Sequence, residues 1–146
     1  MRVMRKLIRE NKKNADCAIV GAYNASVYMY GRANYRKIES LAKKKYSYSS
    51  KDGFDPNSVQ DFLNDLGLRT TNFFGLNIQY AEKEILNGRP ALATIRHVND
   101  KDSHVVFLVP KDRSIEIVNS SYTWIELVED FLKGNVKLSI WAVHYP

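Results

Sequence analysis

The chain has a single cysteine, Cys17, among 146 residues. An intramolecular disulfide is therefore excluded, and the fold has to rest on packing. Long apolar runs are missing as well. None approaches the ~20 residues that span a bilayer, so no membrane segment is expected. The basic start, "MRVMRKLIRENKK", has neither a long apolar stretch nor a small-residue cleavage site, and no secretory signal is read from it. The expected setting is cytoplasmic. Histidine is scarce: His97, His104 and His144. With the lone cysteine they are scattered along the chain, without the close ligand pairs of structural zinc sites. No metal and no organic cofactor is expected. Internal repeats and low-complexity tracts are absent too.

What is present suits one packed domain over residues 1–146. A hydrophobic content of 45% and an aromatic content of 12% supply a core and exclude global disorder. The net charge of +6 is uneven. Arg2, Arg5, Lys6, Arg9, Lys12 and Lys13 stand against Glu10, and "RKIESLAKKK" at 36–45 forms a second cluster. Such stretches attract nucleic acid by counterion release, yet no recognisable nucleic-acid motif accompanies them. Contact with nucleic acid is open only through this basic N-terminal third, whose plain reading is a solvated face.

"CAIVGAYNASVYMYG" predicts a helix over 17–30, entered through Asp16 as N-cap and stopped by Gly31. Only Asn24 and Ser26 are clearly polar, so burial nearly all round is expected. Ala18, Gly21, Ala22 and Ala25 would let neighbours approach its backbone. Residues 32–54 read as a polar surface connection. "DPNSVQDFLNDLG" predicts a short helix with Asp55 as cap and Pro56 in its first turn. "LNIQYAEKEILNG" and "YTWIELVEDFLKG" predict amphipathic helices, and "PALATIRHV" and "VKLSIWAVHYP" strands. "HVVFLVPKDRSIEIVN" gives two strands around a polar turn. Helix-rich first and strand-rich second argues for α+β.

At the first turn of a helix, Cys17 faces the positive end of the helix dipole, which favours thiolate over thiol. A lone cysteine on an apolar helix is also common as inert core. A nucleophile needs a base and a group that orients the base. His144 ends a strand and His97 sits at a loop tip, whereas His104 opens a strand directly after a polar loop. With Lys111 and Asp112 as a two-residue turn, Pro110 faces Arg113 and His104 faces Asn119. Opposed residues of an antiparallel pair have Cβ atoms ~4.5–5.5 Å apart. An Asn119 side chain at that distance would fix the imidazole.

In order, "NKKNADCAIVGAYNAS", the Pro56–Gly67 helix with "GLRTT", "GRPALATI", "HVVFLVPKDRSIEIVN" and "WIELVEDFLKG" follow one pattern over nearly the whole chain. That pattern resembles the papain-like cysteine peptidases that process bacteriocin precursors by cutting after a double-glycine leader. The resemblance implies a papain-like α+β fold. In it, an N-terminal helical half carries the nucleophile on a central buried helix, packed on a C-terminal antiparallel sheet. It further implies a Cys17–His104–Asn119 triad, an oxyanion donor at Asn11, and a peptide or protein substrate cut after small residues such as Gly-Gly. The sequence departs from the family at four points. Asn11 stands where glutamine is usual, Ala18 where glycine is, and "NS" at 119–120 where "DP" is common. Members of that family are often the front domain of a membrane transporter, and no transporter segment is expected here. Asn14 is a second candidate donor. Three other readings keep the same residues: a non-catalytic peptide- or leader-binding module, a thiol acyltransferase, and a basic nucleic-acid-associated protein with a structural Cys17.

Overall fold

A computed structural model describes residues 7–13, 15–72 and 77–146. Asn14 and the first three cations of the basic start lie outside the described residues. The architecture is α+β, with a five-stranded antiparallel sheet covered by helices.

The first helix, α1 (Cys17–Tyr30), is buried along most of its length, as its small apolar residues predict. Gly31 ends it in the left-handed region at φ 81°, and its N–H returns to the Val27 carbonyl at 2.7 Å. A residue with a Cβ is strained there, which is why glycine sits at that position. Gly21 lets α1 press onto the sheet. A Cβ on it would lie 3.1 Å from Val105 Cγ1 and 3.3 Å from Leu92 Cδ2.

Where a surface connection was expected, residues Tyr35–Lys45 form a helix, α2. Tyr35, Ile38, Glu39 and Ala42 recur at helical spacing on its buried face. Asn34 caps it by accepting the Lys37 N–H at 3.1 Å. The lysines that made the segment look like a loop are its solvated side. A 3-10 turn at Pro56–Ser58 leads into α3 (Val59–Asp65). Asp55 caps that turn as expected, accepting from the Asn57 N–H.

The chain continues through β1 (Arg69–Asn72), α4 (Ile78–Leu86), β2 (Ala91–His97), β3 (His104–Lys111), β4 (Ser114–Val118), α5 (Trp124–Leu132) and β5 (Val136–His144). Thr123 and Glu126 form a capping box that starts α5. The sheet order is β1-β5-β2-β3-β4. Strands β2 and β3 are buried on both faces along most of their length, and residues alternate between two cores. Leu92, Val105, Phe107 and Val109 pack with α1, α2 and α3. Ala93, Val106, Leu108 and Ile140 pack with α4 and α5.

The hairpin register differs from the sequence expectation. Its turn residues are Asp112 and Arg113, both left-handed at φ 51° and 65°. Lys111 pairs with Ser114 and Pro110 with Ile115. Two left-handed central residues match the twist of a two-residue hairpin, and the short Asp side chain tolerates that region. Moving the turn by one residue moves every partner by two, so each side chain keeps its face.

Several cations of the basic segments have acidic partners: Arg9 with Glu116, Lys13 and Lys43 with Glu39, and Lys45 with Asp65. No described helix is long and apolar enough to cross a membrane.

Candidate active site

β3 and β4 stay paired only as far as Phe107 and Val118. Beyond that pair Asn119 turns away in the left-handed conformation, at φ 71°. The opening this leaves beside the start of β3 is filled by the first residue of α1. Cys17 Sγ accepts the Val105 N–H at 3.4 Å, a donor for which the ladder has no β4 partner.

His104, the first residue of β3, adjoins the sulfur. Its Nε2 lies 2.6 Å from the main-chain carbonyl of Asn119. A carbonyl only accepts, so Nε2 carries the proton and the neutral ring keeps its lone pair on Nδ1. Nδ1 is thus the nitrogen available to Cys17. The hydrogen bond to Cys17 raises the His104 pKa above the usual imidazole value. Burial opposes this, while the Asn119 carbonyl and the charge on the sulfur reinforce it.

Asn119 therefore adjoins His104, but not in the expected way. Its backbone holds the ring, while its side chain reaches Asn11, Nδ2 donating to Asn11 Oδ1 at 2.7 Å. Sequence reasoning placed the two residues together through a register that does not exist. The proximity comes from the turn after Val118.

Asn11 is carried by the segment before α1, and that segment is tied down twice. Asn24, buried on α1, binds both main-chain groups of Ile8: its Oδ1 accepts from the N–H at 2.8 Å and its Nδ2 donates to the carbonyl at 2.9 Å. Asp16 is fully buried and makes no side-chain bond to α1. Instead its Oδ2 accepts the N–H groups of Lys12 and Lys13, at 3.2 and 3.1 Å, and the Tyr35 hydroxyl. Its expected capping role is thus replaced by organising the turn that presents Asn11. The carboxylate is turned back toward that segment, and its other oxygen, Oδ1, is buried without a partner rather than bonded to the helix start.

These groups open into a cleft of about 920 Å³. Asn11, Cys17, Phe54, His97 and His104 line it, between the loop before α3 and the β2–β3 loop. Charges of both signs also line it: Lys45, Lys51 and Lys101 with Asp52, Asp55, Asp100 and Asp102. Among the described residues, five non-glycine positions have positive φ. Asp112 and Arg113 make the hairpin turn; Ala15 and Ser47 line the cleft, and Asn119 holds His104. Such backbone costs ~1–3 kcal/mol per residue and gathers at functional sites.

The other two histidines stand apart from the sulfur. His97 ends β2 rather than capping a loop, and its ring stacks on Tyr122. The Tyr122 hydroxyl donates to Asp130 at 2.6 Å, and that carboxylate helps push the phenol up to about 12, burial being the larger cause. His144 Nε2 meets Thr71 Oγ1 at 3.1 Å on the β1–β5 pair. Asn14 is outside the described residues. Sequence reasoning missed the Val105 N–H and the backward turn of the Asp16 carboxylate. Main-chain donors have no sequence signal, but "DC" at a helix entry did mark Asp16.

No protein-family model matches the chain, and no curated protein matches its sequence.

Proposed function

We propose that this protein is a papain-like cysteine peptidase that hydrolyses a peptide bond through Cys17 and His104. The observation carrying this reading is that Cys17, its sulfur on the Val105 N–H, and His104, its ring fixed by the Asn119 carbonyl, line one open cleft, with the imidazole pKa raised by its neighbour Cys17. Nucleophile, base and a fixed ring are the minimum for thiol catalysis. A helix bearing the nucleophile against an antiparallel sheet is the arrangement the papain-like reading expects.

For attack, Cys17 gives its proton to Nδ1 of His104. The sulfur attacks the scissile carbonyl carbon, a C–S bond forms, and the carbonyl oxygen takes the negative charge. Two donors are placed for it. The Cys17 N–H is free because the first N–H groups of a helix have no intrahelical acceptor. Asn11 Nδ2 is the second, since its Oδ1 is held by Asn119. The C–N bond then breaks as His104 gives its proton to the leaving amine. Water next adds to the thioester, losing a proton to Nδ1, and the C–S bond breaks to restore the pair. The Asn119 carbonyl keeps Nε2–H in place throughout and replaces the side-chain orienter of the resemblance. By that resemblance the substrate is a peptide cut after small residues such as Gly-Gly.

The single cysteine makes the test direct. Iodoacetamide labelling of Cys17 should be fast below pH 7 and should collapse in His104→Ala. Labelling that rises only near the free-thiol range of about 8.5, and ignores His104, would sink the proposal.

A further inference from the structure

The cleft continues into a second concavity of about 370 Å³, with Pro56 and Ser103 on the walls of both. Its floor is one face of three strands. Across β2 and β5, Arg96 pairs with Lys137 and Thr94 with Ser139. Deeper in, Trp141 pairs with Leu92 on one side and Asn72 on the other. Asn57 and Gln60 close it from α3 and the turn before it.

The fold leaves two things here unbalanced. Arg96 and Lys137 are like charges directly opposed on an antiparallel pair, an arrangement that destabilises a sheet. Neither pairs with a described carboxylate. Arg96 Nη1 donates instead to the Asp100 carbonyl at 2.9 Å, which orients the guanidinium and leaves its charge uncompensated. Asp100 and Asp102 line the neighbouring cleft but not this concavity. At the inner end, Trp141 Nε1 and Asn72 Oδ1 are buried without a hydrogen-bond partner. Two cations at the mouth, hydroxyls behind them and the unpaired Trp141 indole N–H at the base describe a site short of an anionic occupant; Asn72 Oδ1, an acceptor, takes no part in holding the anion.

We propose that this concavity is a substrate subsite that takes an acidic side chain of the peptide, its carboxylate bridging Arg96 and Lys137. The inference rests on the peptidase reading, because continuity with the Cys17 cleft is what makes the anion part of a peptide. A guanidinium offers a planar fork that fits a carboxylate, and the ammonium adds a second charge-assisted bond.

The test needs no turnover. Fluorescein-labelled decapeptides with a central Gly-Gly, carrying Glu or Gln at each other position in turn, are titrated against the Cys17→Ala protein by anisotropy. At one position Glu should bind about tenfold more tightly than Gln, equivalent to ~1.4 kcal/mol. That preference should fade at high salt and vanish in the double variant Arg96→Gln/Lys137→Gln. Removing two opposed like charges should leave the melting temperature unchanged or raise it, which separates lost binding from unfolding. Equal binding of the Glu and Gln peptides, a preference that survives the double variant, or no peptide binding at all overturns the subsite. The pH profile of Cys17 labelling in the intact protein decides the peptidase reading separately.

Discussion

The side chains of Asn119 and Asn11 are joined amide to amide, Nδ2 to Oδ1 at 2.7 Å, across 108 positions of sequence. Through this bond the residue whose carbonyl fixes the His104 ring also fixes the proposed oxyanion donor. Asn119→Gly separates the two functions. Glycine accepts the φ of 71° and keeps the carbonyl, but it releases Asn11. The expected outcome is Cys17 labelling with the parent's pH profile and peptide cleavage reduced about 10²-fold, the scale of a misplaced catalytic group. Cleavage at the parent's rate would show that Asn11 needs no anchor.

Asn11 itself is expected to cost more. Asn11→Ala removes one oxyanion donor, a loss of ~10²–10³ in kcat with little change in KM. Steady-state kinetics on a Gly-Gly peptide checks this. A change confined to KM would place Asn11 in substrate binding instead.

Asn24→Ala strips the main chain at Ile8 of both its side-chain partners. Leaving such groups unpaired costs ~1–3 kcal/mol each at full burial, so a loss of about 2 kcal/mol is expected in urea unfolding. Amide exchange along residues 7–13 should speed up more than exchange in the sheet.

Gly21→Val drives side-chain atoms into Val105 and Leu92, where even a Cβ has only 3.1 and 3.3 Å. Overpacking of this kind costs ~1–3 kcal/mol. Val105 also carries the N–H that meets the Cys17 sulfur, so the labelling rate should change together with stability. A stable variant with unaltered labelling would mean that the α1–β3 contact is looser than these distances require.

His104 makes stability depend on pH. Its folded pKa lies above the unfolded value of about 6.5. The folded state therefore holds the extra proton, and its contribution is complete below about pH 6.5. It is lost as pH rises through the raised folded value. Melting temperatures measured upward from pH 6 should fall in the parent more steeply than in His104→Gln. Parallel curves would contradict the raised pKa.

Much of this fold follows from local chemistry. Asp55 and Pro56 before "NSVQDFLND", the Thr123–Glu126 box and Gly31 each state a helix boundary, because orphan main-chain groups at helix ends need particular residues. Helix α2 was legible too, in the spacing of Tyr35, Ile38 and Ala42, but a lysine-rich surface hid it. Strand β1 was not legible. Four residues without an apolar pattern become a strand only because β5 offers them an edge.

The sequence alone determined that Cys17 stands at the entry of a buried helix and that His104 opens a buried strand, since periodicity and capping are local properties. Only the tertiary structure decided how they meet. The hairpin turn sits one residue later than expected, β4 leaves the ladder after Val118, and the gap admits the sulfur. It also decided that Asn119 serves the ring through its backbone and Asn11 through its side chain. Register and main-chain direction are set by packing across the whole sheet, and no short stretch of residues contains that information.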